Sequence, residues 1–240
     1  MAKTSASELV KNLREDLQDE HEPYLWSTSE LLRYIDGGQI EFCRQGIPIF
    51  DSTSEETFLT VREGDPELPF SDTFLDVRQA IARYQNEVDG PYFYRTLKIS
   101  TQENSLAMTP HWPRDYGVSR RVEDQMFSSG EPFEVFLDYD QNLLRLGRIP
   151  DRDFDIRLSV ERIPLDIVND CEDEIEVARM HHPAILAWAA YMAFLRQDSE
   201  TFDKEAASRF LGQFTDYATR SKDEKLKRHS TPGTVKYGGI

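Results

Sequence analysis

The sequence predicts an α+β fold, predominantly α, in which N- and C-terminal helices form a bundle with an inserted antiparallel β-rich domain and an extended C-terminal tail. Three observations lead there. Apolar residues recur at helical spacing over residues 1–48 and again over 165–228, while 49–164 shifts to a period of two. Residues 183–195 are apolar on nearly all sides, which marks a helix enclosed by others. Residues 229–240 hold too little apolar surface to fold alone.

The first helix is expected from Ser5 to about Asp19, with Leu9, Val10, Leu13 and Leu17 as its stripe. Ser5 and Glu8 have capping-box spacing, so each side chain can satisfy an orphan backbone donor. A second helix opens in HEPYLWSTSELLRYI, where Ser27 is the N-cap and Glu30 completes another capping box. Trp26 before the cap and Leu31 at the fourth helical position form a hydrophobic staple, which sets the angle of the incoming chain. Leu32, Ile35 and Phe42 continue the buried side, and Gly46 with Pro48 closes it. Gly37-Gly38 inside this helix costs about 1 kcal/mol per glycine against alanine, so a kink or a very close helix approach is expected there.

Thr57–Arg62 reads as a strand, broken by Gly64, Pro66 and Pro69, and a short helix is expected near Thr73–Gln85. Tyr92–Ser100, Phe133–Asp138 and Leu143–Leu146 alternate. The clearest alternation is FDIRLSVERI, with Phe154, Ile156, Leu158 and Val160 on one face and Asp155, Arg157, Ser159 and Glu161 on the other. Beyond Pro164, the run NDCEDEIE reads as a solvated acidic linker. Pro183 suits the first turn of the following helix, which carries Trp188 and Tyr191 into the core. The last helix starts near Asp203, with Ala206, Phe210, Phe214 and Tyr217 as its stripe and cations toward its C-terminal end. Trp26, Leu31, Trp188, Tyr191, Phe210 and Phe214 are the expected core anchors.

Composition narrows the function. A hydrophobic content of 39% with 11% aromatics excludes wholesale disorder. Lys and Arg number 28 against 44 Asp and Glu, and the resulting net charge of −16 opposes nonspecific nucleic-acid binding. It leaves open a protein that DNA slides past without sticking. Cys43 and Cys171 make no disulfide framework, so assembly in a reducing cytoplasm is expected. MAKTSASELVKNLRED has no apolar signal core and the run Pro183–Leu195 is too short to span a bilayer, so a soluble chain is expected.

Chemistry is sparse. Asp138-x-Asp140-x-Asn142 begins like a calcium loop, but Leu143 and Ile149 stand where that loop needs glycine and glutamate; a hairpin turn explains it better. His181 and His182 are adjacent and point to different faces, with no cysteine or histidine cluster beside them. No nucleophile elbow, phosphate loop or dinucleotide fingerprint occurs. No catalytic residue, cofactor or metal ligand is therefore assigned.

Three stretches carry a family resemblance. EPYLWSTSELLRYIDGGQIEFCRQG resembles the N-terminal helix signature of tailed-bacteriophage head–tail adaptor (connector, or neck) proteins, in which P-Y-L-W-S-[DT]-x-E-L-L-x-Y-[IL] precedes the long helix. GEPFEVFLDYDQNLLRLGRIPDRDFDIRLSVERIP is similar to the family's strand series, and HHPAILAWAAYMAFLRQDSETFDKEAASRFLGQF to its closing helix pair. The resemblance implies a structural virion protein at the neck. Such proteins assemble in the bacterial host cytoplasm as a ring, usually of twelve subunits, beneath the portal. The ring extends the DNA channel, lets genomic DNA pass without specific binding and docks tail or nozzle proteins. It also implies that the C-terminal segment reaches the portal, which here falls on Thr231, Pro232, Thr234, Val235, Lys236, Tyr237 and Ile240. A tail-tube or nozzle subunit is the related alternative. A cytosolic metal-dependent hydrolase using His181, His182 and the acidic run is the alternative from another class.

Overall fold

The structure is a computed structural model that describes residues 4–85, 90–100, 129–140, 142–196 and 201–229. Its elements begin with β1 (Thr4–Ser5), α1 (Ala6–Leu17), α2 (Thr28–Gln45), β2 (Ile49–Asp51), β3 (Phe58–Val61), β4 (Glu67–Pro69) and β5 (Phe74–Gln85). They continue with β6 (Tyr92–Ser100), β7 (Glu134–Asp140), β8 (Leu143–Leu146), β9 (Phe154–Arg162) and β10 (Glu174–Ile175). Helices α3 (His182–Phe194) and α4 (Lys204–His229) close the order. The chain separates into two compact units, Met1–Ile49 with Ile163–Ile240, and Phe50–Arg162.

The first unit is helical. At the start of α2 the side chain of Ser27 accepts from the Glu30 N–H while the Glu30 carboxylate accepts from the Ser27 N–H, so the capping box is complete. A buried ion pair fixes the segment that feeds it. Arg14 donates to Asp19 at 2.7 Å and to the Trp26 carbonyl at 3.2 Å, and Asp19 accepts the N–H groups of Leu25 and Trp26. The capping box expected at Ser5 does not form: Ser5 caps α1 by position but makes no side-chain cap bond. Instead the N–H groups of Ala6 and Ser7 donate to the carbonyls of Asp173 and Cys171 at 2.8 and 2.9 Å, alongside the antiparallel β1–β10 ladder. Helix α2 runs unbroken through Gly37-Gly38. A Cβ at Gly38 would lie 3.0 Å from the Ile185 carbonyl oxygen, so glycine there permits the close approach of α3.

The second unit is an eight-stranded sheet in the order β2-β9-β5-β6-β7-β8-β4, with β3 also on β9. Phe154, Ile156, Leu158 and Val160 of β9 are all buried in its core, with Leu97, Leu144 and Leu146. Strand β9 pairs antiparallel with β3 and β5, β5 with β6, and β8 with β4 and β7, whereas β6 with β7 is parallel. A parallel pair needs a crossover connection, and residues 101–128 lie outside those described. The β7–β8 turn pairs Asp140 with Leu143 and places Asn142 at φ 62°, a hairpin where the sequence began like a calcium loop.

The expectation of a predominantly helical fold is overturned. Helices make one unit, and the other is this large sheet, which is mixed rather than purely antiparallel. The main cause is residues 74–85, expected as a helix and observed as the central strand β5. Register shifts between Phe74 and Asp76 and between Val77 and Gln79 space the buried residues Phe74, Val77 and Ala80 three apart. That spacing imitates a helix; only Ala80, Ala82 and Tyr84 show the period of two.

Candidate interaction site

Trp26 is 2% exposed, and its indole N–H donates to the Ala193 carbonyl at 3.2 Å while its ring meets Phe194 edge-on at 5.9 Å. Leu31 is fully buried in the same cluster. On α3, Trp188 is half-buried, with ring centroids 5.4 Å from Tyr191 and 5.0 Å from Phe214. Phe214 is fully buried, and Phe210 stacks on Phe194 at 5.8 Å. Trp26, Leu31 and Phe214 thus lie in one core, with Trp188 and Phe210 packed against it and Tyr191 beside Trp188, and this core ties α2, α3 and α4 together.

Ala218 is the last residue of α4 buried among the described residues. Beyond it the helix carries Arg220, Lys222, Lys225 and Lys227 toward its end, leading to the tail. The expected portal-binding residues Thr231, Pro232, Thr234, Val235, Lys236, Tyr237 and Ile240 lie outside the described residues.

The histidines serve packing. His181 lies 4.9 Å from the Phe42 ring and within 3.5 Å of the Ser221 hydroxyl, linking the start of α3 to α4. His182 is buried, and its Nε2 is 3.1 Å from the Val177 carbonyl, a geometry in which that nitrogen donates. Burial pushes its pKa down, against the carbonyl's opposing effect. Among the described residues no group of three or more His, Cys, Asp or Glu side chains is placed to hold a metal ion. No described helix is long and apolar enough to cross a membrane.

The acidic run is no linker. Its carboxylates tie down the local backbone: Glu176 accepts the N–H groups of Leu165 and Asp166, and Asp173 those of Asn169 and Asp170. These backbone bonds hold the Asp173 carboxyl below the usual range. An i to i+4 or period-two pattern could not reveal this, because the groups capped belong to irregular backbone.

On the sheet unit, sequence reasoning missed an ordered exposed face. The strand register sets Phe58 opposite Arg157, and Thr60, Asp155, Arg83 and Tyr94 in one row across four strands. Arg83 bonds Asp155 and lies 4.7 Å above the Tyr92 ring, while Arg157 lies 5.1 Å above Phe58. Arg157 is held in turn by the Ser52 carbonyl at 2.7 Å. Phe58, Tyr92 and Tyr94 remain about half or more exposed. Preset aromatic and arginine side chains are the types that dominate protein–protein contacts. Only Asp155 and Arg157 were visible beforehand, as members of the polar face of β9.

A family model described as the SU10 adaptor protein matches residues 4–236, which takes in both units. The chain belongs to the SU10 adaptor protein family. No curated protein matches it. The resemblance carried by the three quoted stretches is upheld. As an SU10 adaptor family member, the chain is a phage adaptor protein and a structural component of the virion.

Proposed function

We propose that this chain is the head–tail adaptor of a tailed phage. It assembles in the host cytoplasm into a ring of about twelve copies beneath the portal, extends the DNA channel and docks tail or nozzle proteins. The observation that carries this reading is the family match over residues 4–236. The charge of −16 agrees with it, because an acidic channel does not trap a passing polyanion. So does residues 229–240 as a tail: an extended segment can add a strand to the portal or a neighbour, and its ordering on docking makes assembly sequential.

Size-exclusion chromatography with light scattering, on the full chain alone and with purified portal rings, tests the proposal. The expected result is a ring-sized complex that co-elutes with portal and is lost on deleting residues 229–240. A full-length chain that never co-elutes with portal refutes it. Unchanged portal attachment after the deletion refutes the role of the tail.

A further inference from the structure

Two features of the helical unit are unexplained by its own packing. The first is Gly37. Glycine inside a helix costs about 1 kcal/mol against alanine, and Gly38 has its reason in the nearby Ile185 carbonyl. Gly37 has none: a Cβ there would meet only the Trp188 Nε1 at 3.7 Å, an ordinary contact. Gly37 instead lines a groove of about 390 Å³ between α2 and α3, walled by Trp188, Met192 and Leu195 and edged by Arg33 and Arg196.

The second feature is Ile167, 68% exposed on the turn that follows β9. The backbone on both sides of it is pinned. Glu176 holds the N–H groups of Leu165 and Asp166, Asp36 holds Val168 at 3.0 Å, and Asp173 holds Asn169 and Asp170. Five main-chain donors and three carboxylates thus fix a loop whose foremost side chain is an isoleucine in water. Such preorganisation lowers the entropy cost of docking.

We propose that Ile167 of one copy seats over Gly37 in the α2–α3 groove of a second copy. The signs of charge choose this occupant. Asp166, Asp170 and Glu172 belong to the same segment as the isoleucine and are exposed, while the groove carries two guanidinium groups. Arg196 already shares Glu30 at 3.2 Å, so the exposed Arg33 supplies most of the attraction. The tail, with Lys236, has the wrong sign for this groove. Repeated head-to-tail, with the knob of each copy in the groove of the next, the contact propagates from copy to copy and closes into a ring where the rotation allows. This inference rests on the ring reading above.

Sedimentation of the full chain tests it. Gly37→Leu fills the groove and Ile167→Asp removes the knob; each is expected to weaken assembly by roughly tenfold or more, the scale of one isoleucine leaving an apolar site. Circular dichroism melts of the same variants read folding separately. Charge exchange sharpens the test: Arg33→Glu and Asp170→Arg should each weaken assembly, and their combination should restore it. Oxidising a mixture of Gly37→Cys and Ile167→Cys chains should give a cross-linked dimer that wild-type chains do not give, a readout that needs no destabilising change. A ring that is insensitive to every variant and yields no cross-link overturns this contact alone. A wild-type chain that stays monomeric at high concentration overturns the ring and this contact together.

Discussion

The indole N–H of Trp26 donates to the Ala193 carbonyl at 3.2 Å, joining residues 167 positions apart. The bond ties the entrance of α2 to the end of α3. Its local support is the Arg14–Asp19 pair, which holds both the N–H and the carbonyl of Trp26. Trp26→Ala is therefore expected to cost about 3–5 kcal/mol in urea melts, the range for a fully buried aromatic. Trp26→Phe keeps much of the packing and loses only the indole bond to a carbonyl that also accepts from the Arg196 N–H at 3.3 Å, so it should cost less. A loss below about 1 kcal/mol for the alanine variant would show that Trp26 is no anchor.

Gly37 and Gly38 are expected to respond oppositely to alanine. At Gly38 the new methyl would meet the Ile185 carbonyl at 3.0 Å and its Cγ2 at 3.1 Å, forcing α2 and α3 apart. Overpacking of that kind costs about 1–3 kcal/mol. At Gly37 the methyl fits, so the helix propensity of alanine should appear as a gain of up to about 1 kcal/mol. Thermal or urea unfolding of the two single variants distinguishes them; equal destabilisation would contradict the geometry.

These positions show what was legible. The Ser27–Glu30 capping box was, because both partners lie within one turn of α2. The Ser5–Glu8 box has the same spacing and does not form, because the Ser5 hydroxyl bonds that of Ser7 and the Glu8 carboxylate accepts from Arg179, far away in sequence. The alternation of β9 was plain because one face is buried without interruption, whereas the bulged β5 hid its own. The aromatic–arginine face depended on register between strands about a hundred residues apart in the case of Phe58 and Arg157, which no local pattern encodes.

Asp51 and Arg162 form a buried ion pair at 2.7 Å within the sheet unit. Burial alone would raise the Asp51 carboxyl, but the Thr53 N–H and the Arg162 guanidinium override it and hold the carboxyl well below the usual range. A depressed carboxylate contributes stability that is complete above its unfolded value near pH ~4 and is lost as pH falls toward its folded value. Asp51→Asn should destabilise the protein at neutral pH, because it removes the negative charge paired with a buried guanidinium. The gap from wild type should narrow below about pH 4. Chemical unfolding at several pH values reads both; a gap independent of pH would exclude the ionised pair.

His182 is expected to resist protonation. Its folded pKa lies below the ordinary value because it is buried, so the unfolded chain takes up its proton first as pH falls. The stability it contributes is present above about pH 6.5 and is lost as pH drops through its folded value. Wild type should therefore lose more stability between about pH 7 and 5 than His182→Gln, and its imidazole resonances should titrate late in NMR. Titration at or above the ordinary value would contradict the burial.

The most direct measurement is cryo-electron microscopy of the neck of the virion that contains this chain. The expected image is a ring of these subunits between portal and tail, with residues 229–240 reaching the portal and Ile167 of each copy on the α2–α3 groove of the next. Finding the chain elsewhere in the particle, or as isolated copies that touch no portal, would contradict the adaptor reading at its centre.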